Sequence, residues 1–399
     1  MPSDAIVIGA GVIGAACARA LARVGLSVLV LDASAAASGT SGQGEGNILV
    51  SDKEPGAELG LAQRSLLLWD RLEAELDEDL PSAVRADLPA LEYERKGGLV
   101  VAAASASSAA LLAFARDQRE AGVDARPLSA ADALRLEPHL TPAVELAVHY
   151  PDDAQVQPVA ATEALLAAAR ARGARIVPGA TVTGALNGKA GLAGVCSTAG
   201  KHHAGCVIIA AGPWSGRVAT LLGGSVPVRP RRGIILVTTR MPQRVFHKVY
   251  DADYVGAVGS GDSALQTSSV IESTRAGTVL VGSSRRQQGF DASLDAEAMR
   301  EVAAKAMGIF PFLADAAVMR VYGGFRPYMP DHLPVIGPDP HVPGLWYATG
   351  HEGAGIGLSL GTGEMLRDLI TGAPPVLDPA PFSSARPGIA AALRAEKAA

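Results

Sequence analysis

Only three cysteines occur in 399 residues, Cys17, Cys196 and Cys206, and no two stand at CxxC spacing. That spacing argues against a disulfide framework and leaves Cys17 as a small packing residue of a first helix. The eight histidines form no HExxH, and no Cys/His cluster exists, so no metal site is expected. No apolar run approaches the ~20 residues that a membrane-crossing helix needs. The chain enters a strand within its first five residues, which leaves no room for a signal peptide and makes a cytoplasmic location the expectation. There is no block of basic residues and the net charge is −5, so nucleic acid is not an expected partner. No internal repeat is present. What remains is a chain of 48% apolar residues, enough for a large core and of a length suited to two intimately packed domains.

The opening stretch organises the rest. A short apolar run at 5–8 reads as a buried parallel strand, followed at once by Gly9-x-Gly11-x-x-Gly14, an alanine-rich helix to about residue 24, and a second strand at 27–31 ending on Asp32. Gly9 permits the tight turn, Gly11 lets the backbone approach a pyrophosphate, and Gly14 lets helix and sheet pack closely. The pyrophosphate is then placed at the positive end of the helix, and Asp32 is placed to accept hydrogen bonds from ribose hydroxyls. A lone glycine triplet occurs in ordinary turns. Here the strand before it, the helix after it and the acid 18 residues past Gly14 agree on a dinucleotide.

Further along, Ser38-Gly-Thr-Ser-Gly-Gln-Gly-Glu-Gly-Asn47 reads as a loop able to wrap a larger, deeply held cofactor, or else as a surface loop. Helices are expected at 58–80, 107–121, 129–136 (capped by Ser129), 159–172 and 294–307. Strands are expected at 97–103, 175–178 and 206–210. The strand at 206–210 runs into Ala210-Ala211-Gly212, small residues that let the backbone lie against something flat or charged. Residues 226–323 alternate Val, Thr and Gly, as antiparallel strands do. A strand at 345–348, a Gly-rich turn and a helix start close the motif set, and residues 376–399 read as a peripheral tail.

Together these stretches, with Gly324-Phe-Arg-Pro327, Asp331, Pro334, Gly337 and Gly350-His-Glu-Gly-Ala-Gly-Ile-Gly357, resemble the flavin-dependent amine and amino-acid oxidoreductases of the D-amino acid oxidase family over about residues 4–372. Within it the likeness is nearest to β subunits of D-hydroxyproline dehydrogenases and opine oxidases, with glycine and sarcosine oxidases more distant. The resemblance implies an α/β (α+β) two-domain fold: a Rossmann-type FAD-binding domain with a discontinuous antiparallel-sheet substrate domain. The first takes residues 1–85, 148–224 and 324–375, and the second 86–147 and 225–323. It also implies hydride transfer from an amino acid or secondary amine to flavin N5, giving an imine that water hydrolyses. Chemistry carried by the flavin asks the protein mainly for orientation and control of charge.

The implied FAD contacts are Gly9, Gly11, Val12, Ile13, Gly14, Asp32, Ala33, Ser38, Thr40, Ser41, Gly44, Gly46, Asn47, Val182, Ala211, Gly212, Trp214, Arg326, Gly350, Gly353, Ala354, Gly355 and Ile356. Arg326 matches the family arginine that pairs with a substrate carboxylate, and the alternative for it is a structural ion pair. His351 and Glu352 either tune flavin or substrate or cap the helix. Tyr250, Tyr254 and His247 are candidates for the roof over the flavin, with ordinary packing as the alternative for each, and Glu45 and Asn47 for approach to its face. No cysteine stands near the C-terminal glycine motif and no histidine precedes residue 139, so FAD is expected to be noncovalent, with His351 the formal exception. The electron acceptor, O2 or another redox partner, stays open, as do partner subunits. A flavin monooxygenase, the second enzyme reading, would need a nicotinamide site, and the chain shows no second GxGxxG to hold one; a subunit that only relays electrons is the non-enzymatic alternative.

Overall fold

The computed structural model describes residues 2–103, 105–252 and 261–398. The apolar run at the start forms the strand Ser3–Ile8, and alternate side chains enter different cores. Ala5 and Val7 face one apolar cluster while Ile6 and Ile8 face another, as expected for a central strand buried on both faces. It pairs in parallel with Val28–Leu31 on one side and with Gly200–Ile209 on the other. Arg175–Val177 and Leu345–Thr349 extend this parallel core, and Val335–Pro338 adds an antiparallel edge. The first helix, Val12–Arg23, lies on one face with the helices Pro158–Ala171 and Gly355–Thr371 packed on it. Gly363 makes that contact close, because a Cβ there would stand 2.7 Å from the Ala16 carbonyl oxygen. Cys17 is fully buried and unbridged at this junction.

The second large sheet has eight strands, ordered Val318–Tyr328, Arg229–Thr238, Val279–Arg285, Gln266–Ser273, Lys248–Asp251, Gly98–Ala102, Leu146–Tyr150 and Arg126–Ser129. All neighbours run antiparallel except Lys248–Asp251 and Gly98–Ala102, which are parallel. Its outer face carries Leu99, Val101, Leu236, Val249, Ile271 and Val281, covered by the helix Ala296–Ile309. The inner face, as described below, meets the first domain. The described residues therefore form a mixed α/β protein of two large sheets, one largely parallel and one largely antiparallel, with a small two-stranded sheet of Asn47–Ile48 and Ala154–Gln155 besides.

Three readings of the sequence shift. The boundaries at 147/148 and 323/324 fall inside strands, since Leu146–Tyr150 and Val318–Tyr328 run through them. A hairpin, Val182–Gly188 with Gly191–Ser197, continues into Gly200–Ile209; its glycines and polar residues masked the strand pattern. The terminal segment is docked, with Phe382 and Ile389 buried and the Arg386 guanidinium forked onto Asp331. Its short apolar signal hid that role. Among the described residues no helix is long and apolar enough to cross a membrane.

Candidate functional site

The carboxyl ends of the parallel strands open into a cavity of about 520 Å³. At its core the turn after the first strand meets the turn after Gly200–Ile209. Gly9 sits at φ +113°, and a Cβ on it would stand 2.4 Å from the Ala210 carbonyl oxygen. Only glycine fits both conditions. Gly14 contributes by packing and not by contact with the cavity: its Cβ would fall 1.9 Å from the Gly9 oxygen. The first helix begins at Val12, whose N–H donates to Ser41 Oγ at 2.9 Å.

Asp32 also lines the cavity. Its Oδ2 accepts the Ala10 N–H at 2.6 Å and its Oδ1 the Ser34 N–H at 2.7 Å. Each carboxylate oxygen retains capacity for one more donor, which suits a ribose diol. Thr349, at the end of the strand Leu345–Thr349, is tied to the turn after Gly200–Ile209, its hydroxyl bonded to Ser215 Oγ at 2.6 Å and donating to the Gly212 carbonyl at 3.3 Å. Thr40 reaches the other sheet, donating to the Phe325 carbonyl at 2.6 Å.

The opposite wall is the inner face of the second sheet, cleared by glycines. A Cβ on Gly233 would stand 2.2 Å from Arg326 Nη1, one on Gly282 2.0 Å from Glu45 Oε1, and one on Gly324 2.9 Å from Gln43 Cβ. Arg326 Nη1 also donates to the Ser284 carbonyl at 2.7 Å, which fixes its direction.

Every expected cofactor residue lines this cavity except Gly14 and Ala354. Ala354 instead caps the helix Gly355–Thr371 and packs against the core beside it. Arg326, His351 and Glu352 also line it. His351 is buried, its Nε2 2.9 Å from Thr362 Oγ1, and burial pushes its pKa down to about 3. It is therefore neutral and no cation for the site. Glu352, at φ +46°, places Oε1 3.0 Å from His332 Nδ1 and Oε2 3.6 Å from Arg231 Nη1. The Glu352 carboxylate raises the His332 pKa, and burial lowers that of Arg231.

Tyr250 is not in the wall. It is wholly buried beneath it, donating to Asp153 Oδ2 at 2.8 Å and touching Ser51. Strand alternation points it inward, where it packs in the apolar core and meets Gly98 and Asp153 without lining the cavity. His247 turns away too, its Nδ1 2.9 Å from Glu137. Tyr254 lies outside the described residues. The signals missed in the sequence are Gly233, Gly282, Ser283 and Arg217; only knowledge of which strands are neighbours brings them together.

The residues fit FAD on this structure's own features: two turns cleared of Cβ atoms, two helix starts and an acid with spare acceptor capacity. Among the described residues no group of His, Cys, Asp and Glu could hold a metal ion. The model of the family described as FAD dependent oxidoreductase (DAO) matches residues 4–369. A glycine oxidase of Pseudomonas putida is 30% identical over 390 residues, covering 96% of this chain and 98% of its own. The hydrogen cyanide synthase subunit HcnC of Pseudomonas aeruginosa is 32% identical over 255 residues, 63% of this chain and 57% of that protein. The crystal structure of glycine oxidase from Geobacillus kaustophilus superposes with a TM-score of 0.86 at 26% identity, covering 96% of this chain and 99% of that one.

Proposed function

Because the chain belongs to the family of FAD-dependent oxidoreductases, we propose that it oxidises the C–N bond of an amino acid or secondary amine to an imine. FAD, when bound, supplies the hydride acceptor. Gly9, Gly11 and the start of the helix Val12–Arg23 would hold its pyrophosphate, and Asp32 its ribose. Arg326 would take the substrate carboxylate, since a guanidinium fork matches two oxygens in one plane.

The observation that carries this reading is a single cavity lined by both Asp32 and Arg326, the latter already oriented by the Ser284 carbonyl. The names of the glycine oxidase relatives favour a small amino acid. They do not reach the finer likeness to D-hydroxyproline dehydrogenase and opine oxidase β subunits, and the name of HcnC leaves assembly with a partner subunit as part of the proposal.

The test is anaerobic bleaching of the flavin in the purified chain by a panel of amino acids and secondary amines. Bleaching by one of them at a rate matching its turnover supports an amine-oxidising enzyme. Bleaching by NADPH alone, or by no amine, overturns it. Acid precipitation of the same sample should release intact FAD into the supernatant, as noncovalent binding requires.

A further inference from the structure

Glu45 sits on a loop whose course is fixed by Gly46, at φ +89° and so close to Val156 that a Cβ would fall 1.9 Å from its carbonyl oxygen. The Glu45 side chain lines the cavity, with its Oε1 lying over Gly282. Its Oε2 accepts from Asn47 Nδ2 at 3.2 Å. Its Oε1 is shut off from solvent and has no hydrogen-bond partner among the described residues. A buried acceptor left without a partner keeps its full desolvation cost, the more so when charged. Such an atom beside a substrate cavity is suited to a donor brought by the substrate.

Its placement relative to Arg326 specifies that donor. Both charged heads stand where glycines of adjacent strands have no Cβ, Arg326 over Gly233 and Glu45 over Gly282. The two glycines are one strand apart and about two residues offset, roughly 8 Å by strand geometry. That is the span of an α-amino acid's carboxylate and ammonium with one hydrogen bond at each end. Other charges face Glu45 as well. Lys248 is engaged by Glu272, both buried on the neighbouring strands, and Tyr322 lies near with its hydroxyl toward the Gly44 carbonyl. Burial raises the Glu45 pKa; Lys248 and Arg326 oppose the rise and Glu272 adds to it.

Building on the proposed amine oxidation, we infer that Glu45 receives the substrate's ammonium group while Arg326 holds its carboxylate, and that Glu45 Oε1 accepts the ammonium proton. The N–H bond breaks, its electron pair stays on nitrogen, and an O–H bond forms on Glu45. The freed lone pair is what loss of hydride from the adjacent carbon requires. The pair of residues thus selects amino acids over simple amines at one end and over simple acids at the other.

The experiment uses FAD-loaded Glu45→Gln and Glu45→Asp proteins with the best substrate of the panel and with its des-amino carboxylic acid. FAD content and melting temperature of each variant should match wild type, and Glu45→Asp serves if the glutamine variant does not hold FAD. Binding of the des-amino acid, read as a shift in flavin absorbance, should be no weaker than in wild type. Anaerobic flavin reduction should fall at least 100-fold at pH 7 in Glu45→Gln and less in Glu45→Asp. In Glu45→Gln the rate should then climb about tenfold per pH unit toward the amine's own pKa, because only molecules already neutral in solution react. Wild-type rates with a parallel pH profile, or equal loss of affinity for the des-amino acid, would overturn the assignment. If wild type is bleached and the glutamine variant matches it, this inference alone fails; if wild type is bleached by no amine, both readings fall.

Discussion

At the scale of single residues the proposed carboxylate site turns on Arg326. It stands on the strand Val318–Tyr328 opposite Arg231, and its Nη1 is held by the Ser284 carbonyl. One part of the guanidinium is thereby anchored on a side chain that lines the cavity. Lysine can satisfy the Ser284 carbonyl or a carboxylate but cannot reproduce the fork. Arg326→Lys should therefore raise KM strongly and slow flavin reduction, while Arg326→Ala should lose roughly 2–5 kcal/mol of transition-state stabilisation. The check compares an amino acid with the matching amine that lacks the carboxylate. The amino acid should suffer and the amine should barely change, with FAD content near wild type; equal losses would make Arg326 structural.

At the scale of elements, three inner-face glycines do the same work on different strands. Gly233 makes room for Arg326, Gly282 for Glu45 and Gly98 for Asp153, whose Oδ2 would lie 2.2 Å from an added Cβ. Asp153 joins the two halves: it accepts the N–H of Val50 at 2.9 Å and of Ser51 at 3.3 Å, and the hydroxyl of Tyr250 on the second sheet. Burial nevertheless pushes its pKa up to about 6. A carboxyl raised above its unfolded value contributes stability that is fully present below about pH 4 and is lost as pH rises through about 6. Between those limits wild type should lose roughly 3 kcal/mol relative to Asp153→Asn. Urea melts of both proteins from pH 4 to pH 7 measure the difference, and parallel curves would show that Asp153 stays ionised.

At the scale of the whole molecule, the last segment locks the turn that follows the Arg326 strand. Arg386 forks onto Asp331 at 2.7 and 2.9 Å and donates to the carbonyls of Leu333 and Pro334. Gly388 lies so close that a Cβ would be 2.5 Å from Asp331 Oδ2. Breaking a largely buried pair leaves an uncompensated charge and costs roughly 3–5 kcal/mol. Arg386→Ala should lower the melting temperature and open 329–335 to proteolysis, with FAD protecting less than in wild type. A variant as resistant as wild type would show that the terminal helix is merely adjacent.

The sequence alone determined the dinucleotide half of this protein, because its signals are local. Gly9, Gly11 and Gly14 follow a buried strand and open a helix, and Asp32 ends the next strand, all within 32 residues. Backbone sterics and helix ends act over such distances, so spacing suffices to read them. It also placed Arg326 and the Gly350–Ile356 turn beside the same cofactor through their resemblance to a family pattern. Only the tertiary structure decided the other wall. Which side chains face the cavity depends on strand register, and a shift of one residue reverses every one of them. Tyr250, a candidate for the roof, for that reason proved to be buried packing, while Glu45 gained its place over Gly282 across 236 intervening positions. The docking of Arg386 on Asp331 is likewise an ion pair between distant segments, and no spacing in the chain announces it.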